Sequence, residues 1–533
     1  MFSVTLTALR RALCRFLCRL FQTLAFATKV PTKAATRAVL GSLSFSRHQG
    51  YVGGMRLETE CSNPCRPPAR TAWPSSAEAR PGRTGRVALL AGLTGRAVGL
   101  GRRFVLLSVL LAASLEKAQA DWPEFRGPWG DGHATGPGDT TALGLPLNWS
   151  ETENVKWKTE IPCCGWSTPV VLGSQVWLTT ATPEGHDFFA ICVDSETGEV
   201  RFQERLFHSE KPEPLGNSVN TYATPSAALE PGRVYVHFGS YGTACLDTSD
   251  FKVLWKRQDL PCRHYRGPAS SLVLFENLLI LTMDGVDVQY LAALDKQSGQ
   301  TVWKTARSVA WNDENIDEQM AREGDRRKAH STPLIVKTPG GLQMLSAGAK
   351  AAYAYDPRTG RELWRVRYDA WSAAPVPVYD HGLAFIVSGF GGKTELLAVR
   401  VDGHGDVTDT NIAWTSDYMV PKTASPIIVE GLLYMVHDEG LVTCLETPTG
   451  KQVWRARLPG HYAASPVYAD GRLYLCNQQG TTTVLKPGRT FQTLATNTLA
   501  AGFMASPAVA WNSLFLRTKT GLYRIQASVS QPK

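Results

Sequence analysis

From Asp121 onward the chain is built of short runs in which apolar and polar residues alternate, broken by clusters of Gly, Pro, Asn and Asp. A period of two predicts strands with one buried face, and the breakers predict tight turns between them. Arg472-Leu-Tyr-Leu-Cys476 and Leu432-Leu-Tyr-Met-Val436 are two such strands, each followed by polar turn residues.

The strands recur in a fixed order. One half of the repeat is an acidic turn with a Gly, followed by a strand ending in Trp or Phe. Copies run Asp194-Ser-Glu-Thr-Gly198 to Phe202, Asp247 to Trp255, Asp295-Lys-Gln-Ser-Gly299 to Trp303, Asp356-Pro-Arg-Thr-Gly360 to Trp364, and Glu446-Thr-Pro-Thr-Gly450 to Trp454. A looser copy ends at Trp414, and Lys486-Pro-Gly488 is a degenerate turn. Carboxylate and hydroxyl side chains bond the turn backbone, Gly takes a positive φ, and the Trp supplies a large surface between neighbouring sheets. The other half is a small-small-Pro lead-in to an apolar strand: Ser167-Thr168-Pro169, Ala223-Thr224-Pro225, Ser331-Thr332-Pro333, Ala373-Ala374-Pro375, Ala424-Ser425-Pro426, Ala464-Ser465-Pro466 and Ala505-Ser506-Pro507, with Ser270-Ser271-Leu272 lacking the Pro. Pro is tolerated where it begins a strand, and small residues suit strands crowded near an axis.

Lead-ins lie about 40 to about 60 residues apart, the length of a four-stranded propeller blade. Repeats take precedence over other readings of a chain, so residues 121–530 are expected to form an all-β, eight-bladed β-propeller of four-stranded antiparallel blades. The last lead-in runs out of chain before any Trp-ending strand, whereas Asn154-Val-Lys-Trp-Lys158 is such a strand with no blade before it. The expected closure is therefore an N-terminal strand completing the eighth blade, which removes an exposed edge. Longer gaps imply insertions at Phe207 to Thr221 and at Trp311 to Lys328, the latter charged and helix-prone. The third lead-in and the fifth turn are irregular.

Composition narrows the reading. In 533 residues, Gly 47, Pro 32 and Trp 15 suit an all-β chain rich in turns. The net charge of +9 is misleading: residues 1–120 carry 18 Lys/Arg against four Asp/Glu, so the rest of the chain is at −5. Nothing in that part seeks a phosphate backbone, and no nucleic-acid partner is expected. Within the basic leader 1–120, Arg102-Arg103, the apolar run Phe104 to Leu115 and Ala118-Gln-Ala120 have the order of a secretory signal spanning about 98–120. Cleavage after Ala120 is expected, giving a periplasmic or secreted mature protein with no stable membrane span. An uncleaved anchor or a buried helix are the alternatives. A signal that begins so far along the chain implies a start set too far upstream, with Val98 or Met55 as candidate first residues. No lipobox Cys follows the apolar run, so no lipid anchor is expected.

These repeats resemble the pyrroloquinoline-quinone (PQQ)-like β-propellers over nearly all of residues 121–526. That family includes quinoprotein alcohol and glucose dehydrogenases and the non-enzymatic propeller lipoprotein that helps assemble outer-membrane β-barrels. Asp121-Trp-Pro-Glu-Phe-Arg-Gly-Pro128 with Gly130-Asp131-Gly132 resembles the first segment of exported propellers of planctomycete type. The resemblance implies the fold; activity is a matter of the site.

Residues just before the lead-ins are candidates for the mouth of the central channel: Trp166, Tyr222, Arg266, His330, Trp371, Lys422, Tyr462 and Met504. Aromatic and cationic side chains together suit a planar or anionic ligand; plugging the channel is the alternative role. A quinoprotein dehydrogenase needs a calcium held by carboxylate and amide oxygens and an Asp acting as base. Asp284 and Asp287 in Met283-Asp-Gly-Val-Asp287 are the best acidic pair, and a surface turn accounts for them equally. A vicinal Cys pair is a feature of some quinoprotein dehydrogenases, so Cys163-Cys164 carries three options: a vicinal disulfide, two thiols, or pairing with Cys262. Seven Cys follow Ala120, an odd number. Cys192, Cys245, Cys444 and Cys476 read as small core residues. There is no Cys-x-x-Cys-His for a c-type haem, and His133, His186 and His404 have no metal-ligand spacing. The sequence thus favours an exported, monomeric, non-catalytic binding or scaffold module for a protein or small ligand, with no cofactor and no metal. The alternative is a PQQ- and calcium-dependent dehydrogenase of alcohols or sugars.

Overall fold

The computed structural model describes residues 121–136, 138–216, 219–309 and 325–528. The basic leader with its signal lies outside the described residues, as does most of the insertion after Trp311. The end of that insertion, Asp325–Arg327, is a short 3-10 turn.

Eight four-stranded antiparallel sheets follow in chain order, each strand pairing with the next. Blades 1 to 7 span 170–208, 228–257, 273–306, 334–367, 378–416, 427–457 and 467–498. Blade 8 takes three strands from 508–526, and its outermost strand is Val155–Glu160, which pairs antiparallel with Gly521–Gln526. The expected ring closure is present. Blade 4 departs from the pattern: Gly405–Asp406 adds a short parallel strand to its outer edge, at Trp364 and Arg365.

Two sets of contacts lock neighbouring blades. The outer set explains the Trp and the turn Gly together. The indole N–H of Trp157 donates to Ser195 O (3.0 Å), that of Trp255 to Lys296 O (3.0 Å), Trp303 to Pro357 O (3.2 Å), Trp414 to Thr447 O (3.1 Å) and Trp454 to Gly488 O (2.9 Å). Each acceptor sits in the turn that precedes the outermost strand of the next blade. Gly198 and Gly450 have φ of +78° and +68°, and a Cβ there would lie 2.8 and 2.6 Å from the rings of Trp157 and Trp414. The glycine thus serves the turn and the close approach of the preceding blade at once. Asp194 accepts from the N–H groups of Glu196 and Thr197 (both 2.8 Å), as the turn reading requires.

The inner set is a girdle of hydroxyls. Two residues before each innermost strand, a backbone N–H donates to the hydroxyl at the equivalent position of the next blade. Thr168 donates to Ser226 (2.9 Å), Ser226 to Ser271 (3.0 Å) and Ser271 to Thr332 (2.9 Å). Beyond blade 5, Val376 donates to Ser425 (3.0 Å), Ser425 to Ser465 (3.0 Å) and Ser465 to Ser506 (2.9 Å). All of these hydroxyl residues are buried, so each bond satisfies a backbone donor that water does not reach. The lead-in residues are small for packing and hydroxylated for bonding.

Two junctions depart from the girdle. Between blades 4 and 5 the position holds Val376, and Ser331 Oγ donates to Pro375 O instead (2.8 Å). Between blades 8 and 1 the Arg517 guanidinium bridges the gap: its NH1 donates to Ser167 O (3.1 Å), Thr179 O (3.1 Å) and the Ser167 hydroxyl.

Candidate functional site

The girdle sets a common register for the channel wall. One blade end carries the lead-ins, the opposite end the acidic turns. In that register Trp166 and His330 occupy equivalent positions, two residues before Thr168 and Thr332. Tyr222, Arg266 and Trp371 stand four or five residues before Ser226, Ser271 and Val376 and so are out of that register. Blades 2 and 5 have their Pro two residues early, at Pro225 and Pro375, which is why aligning on Pro displaced the set.

The lead-in end places these residues in separate groups. Tyr222 is buried among Phe188 and Tyr241, ring centroids 6.4 and 5.9 Å away, and its hydroxyl donates to Glu213 O (2.8 Å). Tyr462 is fully buried in the core of blades 6 and 7. Both are packing residues. Trp371 lies under two cations, Arg326 and Lys350, each 5.2 Å from its ring. Its carbonyl accepts from Phe390 N–H (2.8 Å), and Lys422 sits 4.8 Å over the Phe390 ring, which is 41% exposed. Trp371, Phe390 and Lys422 thus form one cationic and aromatic ladder across blades 5 and 6.

A second group joins blades 2, 3 and 4. Arg266, Lys328 and His330 act on one another electrostatically, and His264 feels Lys328, His237 and His330. Burial, then the charges of Lys328 and Arg266, holds His330 well below the ordinary imidazole range. Burial likewise lowers His264 well below it and His237 to about 4. Burial thus keeps these imidazoles neutral near pH 7, and the buried Lys328 beside them donates to Gly267 O (3.1 Å). Met504, half-buried, precedes the girdle position of blade 8.

Asp284 and Asp287 do not form a surface pair. Asp284 is buried and bound in bidentate fashion by Arg307, Nε to Oδ1 at 3.1 Å and NH2 to Oδ2 at 2.7 Å. Burial opposes the Arg307 charge, but Asp284 holds it firmly in place. Asp287 Oδ1 accepts the backbone N–H groups of Arg263 (2.8 Å) and Val288 (2.9 Å). Asp284 is already neutralised by Arg307, and Asp287 is engaged through Oδ1 in capping a turn, so the two acids do not present a shared set of open oxygens for a calcium ion or a quinone base. Among the described residues no group of three His, Cys, Asp or Glu is arranged to hold a metal.

Cys163 and Cys164 are disulfide-bonded, while Cys262 is a free thiol 3.7 Å from His264 Nδ1. Cys262 being free, it is not the partner of either, and neither Cys163 nor Cys164 is a thiol; the vicinal pairing of the two stays an expectation. Cys192, Cys245, Cys444 and Cys476 are free and buried, as small core residues should be.

The opposite half of the channel holds a feature the sequence did not announce. Residues 121–136 pass along the inside of the ring. Trp122 exchanges two backbone bonds with Val171 of blade 1 (2.9 and 2.8 Å). Pro123 O accepts from Leu229 of blade 2 (2.8 Å), and the Glu124 carboxylate accepts from Leu274 N–H of blade 3 (3.2 Å). The strap then crosses the axis: Arg126 donates to Pro426 O of blade 6 (2.9 Å), and Gly132 and Ala134 pair with Tyr468 of blade 7 (2.9 and 3.0 Å). Innermost strands present unpaired N–H groups to the axis, and the strap satisfies them. The Trp-Pro-Glu-Phe-Arg-Gly motif is therefore a structural strap.

The family described as "Outer membrane protein assembly factor BamB" matches residues 147–325 and 404–490. Among solved structures, a europium-containing methanol dehydrogenase is similar with a TM-score of 0.53 at 12% identity, over 78% of this chain and 92% of that one. The quinohemoprotein alcohol dehydrogenase from Comamonas testosteroni gives 0.52 at 10% identity, over 78% and 82%. BamB from Moraxella catarrhalis gives 0.48 at 13% identity, over 69% and 99%. No curated protein matches the sequence. Repeat, ring and family match agree: this chain is a PQQ-like β-propeller. At these identities the structural likeness speaks to fold alone.

Proposed function

We propose that this protein is an exported, non-catalytic PQQ-like propeller, a monomeric binding module whose protein or small-molecule ligand docks at the lead-in end of the channel. The observation that carries this reading is the asymmetry of the axis. One half is crossed by the protein's own strap, while the lead-in end carries Arg266, His330 and the ladder of Trp371, Phe390 and Lys422. Cations beside aromatic faces suit an anionic or planar ligand. The commitment of Asp284 to Arg307 supports the non-catalytic reading over the quinone one. Disulfide-bonded Cys163 and Cys164 support export, because disulfides persist in oxidising compartments. Among the described residues no helix is long and apolar enough to cross a membrane.

The test is reconstitution with PQQ and calcium, followed by quinone absorbance and a dye-linked oxidation of alcohols and sugars. No turnover above a protein-free blank is expected, and saturable turnover overturns the reading. Peptide mapping of the native protein is expected to find Asp121 at the N-terminus; abundant peptides from residues 1–95 overturn the processing scheme.

A further inference from the structure

The strap across the channel holds buried groups that its surroundings leave unsatisfied. One feature anchors it: the Trp122 ring is fully buried in the core of blades 8 and 1. Its polar groups oppose that anchor. The Trp122 indole N–H is buried with no acceptor among the described residues, and so are Nε and NH1 of Arg126, which is 2% exposed. Arg126 uses NH2 alone, toward Pro426 O (2.9 Å) and Asp131 O. The Glu124 carboxylate accepts one backbone N–H, from Leu274 (3.2 Å), and no cation pairs with it among the described residues. Most buried donors in folded proteins are satisfied, so each unmet one disfavours the docked strap.

The backbone adds strain. Arg126 has a φ of +65°, in the left-handed region that side chains other than glycine avoid. Such conformations persist only where the surroundings impose them, and they gather at switch segments.

The attachment can part without disturbing the blades. Four ring N–H groups donate to the strap: Val171 to Trp122 O, Leu229 to Pro123 O, Leu274 to the Glu124 carboxylate and Tyr468 to Gly132 O. Two bonds run the other way, from Trp122 to Val171 O and from Ala134 to Tyr468 O. The four ring residues each sit mid-way along a three-residue innermost strand, so their blade ladders stay intact when these bonds break. On its C-terminal side the strap leads into residues 138–142, all exposed. Gly138 and Gly144 have φ of +77° and +79°, and a Cβ on either would meet no atom within 4 Å. That stretch has the room and the backbone freedom of a hinge.

We propose that residues 121–136 are a displaceable plug. The strap leaves the channel as one unit, hinged on 138–144. Its departure opens the half of the axis opposite the lead-ins and uncovers the inner edges of blades 1, 2, 3 and 7. This does not rest on the ligand-binding reading of the lead-in end.

The experiment is hydrogen exchange of the full chain, read to single amides by mass spectrometry, in water and in low denaturant. The amides of Trp122, Ala134, Val171, Leu229, Leu274 and Tyr468 are expected to exchange together. Their rate should exceed that of a middle strand such as Leu278–Asp284 by about a hundredfold and ignore denaturant, the mark of local opening. Gly132→Ala is the second arm. Gly132 has a φ of +95°, and a Cβ there would lie 2.8 Å from Arg126 NH2 and 3.1 Å from Pro466 O, so alanine wedges the strap. It is expected to speed the six amides about tenfold and leave the middle strands unchanged. Exchange of the six at the middle-strand rate overturns the proposal, as does exchange of Trp122 and Ala134 while the four ring amides stay protected. A Gly132→Ala variant that leaves the six unchanged, or speeds the middle strands equally, overturns it too. If that variant does not fold, the wild-type rates decide alone.

Discussion

The junction between blades 6 and 7 and the seam between blades 8 and 1 close the same kind of gap with different groups. At the first, a neutral hydroxyl suffices: Ser425 N–H donates to Ser465 (3.0 Å), and Trp454 reaches the next turn (2.9 Å). The chain runs directly from one blade into the other, so little loop entropy opposes the contact. At the seam the strand Val155–Glu160 must find Gly521–Gln526 from the far end of the propeller. The entropy of closing so long a loop is lost before any contact repays it. There the protein uses charged donors. Arg517 replaces the hydroxyl, and Arg524 donates to Ser195 O (2.6 Å) and pairs with Glu196 (2.5 Å). Charge-assisted bonds are roughly twice as strong as neutral ones. The comparison teaches that a repeat ring is uniform only where the chain is continuous.

The largest effect should come from the seam. Trp157→Ala removes a buried ring and the Ser195 bond from the closing strand, and an unfolding free-energy loss of about 4–5 kcal/mol is expected. Trp454→Ala, the matched change inside the continuous chain, is expected to cost about 3 kcal/mol. Urea midpoints measured on both separate the two; equal losses break the comparison.

The next effect concerns the strap, which has no counterpart on the lead-in side among the described residues. Burial raises the Glu124 carboxyl to about 7, against the lowering influence of the Leu274 N–H. A carboxyl raised on folding favours the folded state while protonated. Its contribution is complete below the unfolded value near 4.5 and is lost as pH rises through about 7. Stability should therefore fall by about 3 kcal/mol across that window. Glu124→Gln should flatten the slope; an unchanged slope in a melting series from pH 4.5 to 7.5 assigns it to other groups.

The smallest effects test the girdle itself. Ser465→Ala orphans the buried N–H of Ser425 and is expected to cost about 1–2 kcal/mol. Val376→Thr supplies a hydroxyl at the one position of the ring that lacks any polar side chain, and a gain of about 0.5–1 kcal/mol is expected. Denaturant titration of the pair reads both signs. A loss on Val376→Thr means that blade 4 offers that hydroxyl no donor.

Much of this was legible in the repeats. Blade number, the Asp-to-Gly turns, the Trp-ending strands and the closing strand follow from periodicity and turn chemistry that act within a few residues. The candidate site was legible in part. Trp166 and His330 hold equivalent places, but Tyr222 and Tyr462 pack in the core, because Pro marks where a strand starts and not which way the preceding side chain points. Asp284 looked like a turn residue, since its partner Arg307 lies on the far side of a strand. Arg517 was passed over as one basic residue at the end of an apolar strand. One signal was available: the seven other second strands carry no Arg or Lys after their first position.

The amino-acid sequence by itself determined the local units, the strands, turns and blades, because alternation, Gly and Asx turns are decided by neighbours in the chain. It also determined that the ring must close on an N-terminal strand, since one blade lacked a strand and one strand lacked a blade. Only the tertiary structure decided which hydroxyl meets which N–H, where the strap crosses, and which cation is left without an acid. Those pairings join residues hundreds of positions apart, and only the geometry of the closed ring brings them together.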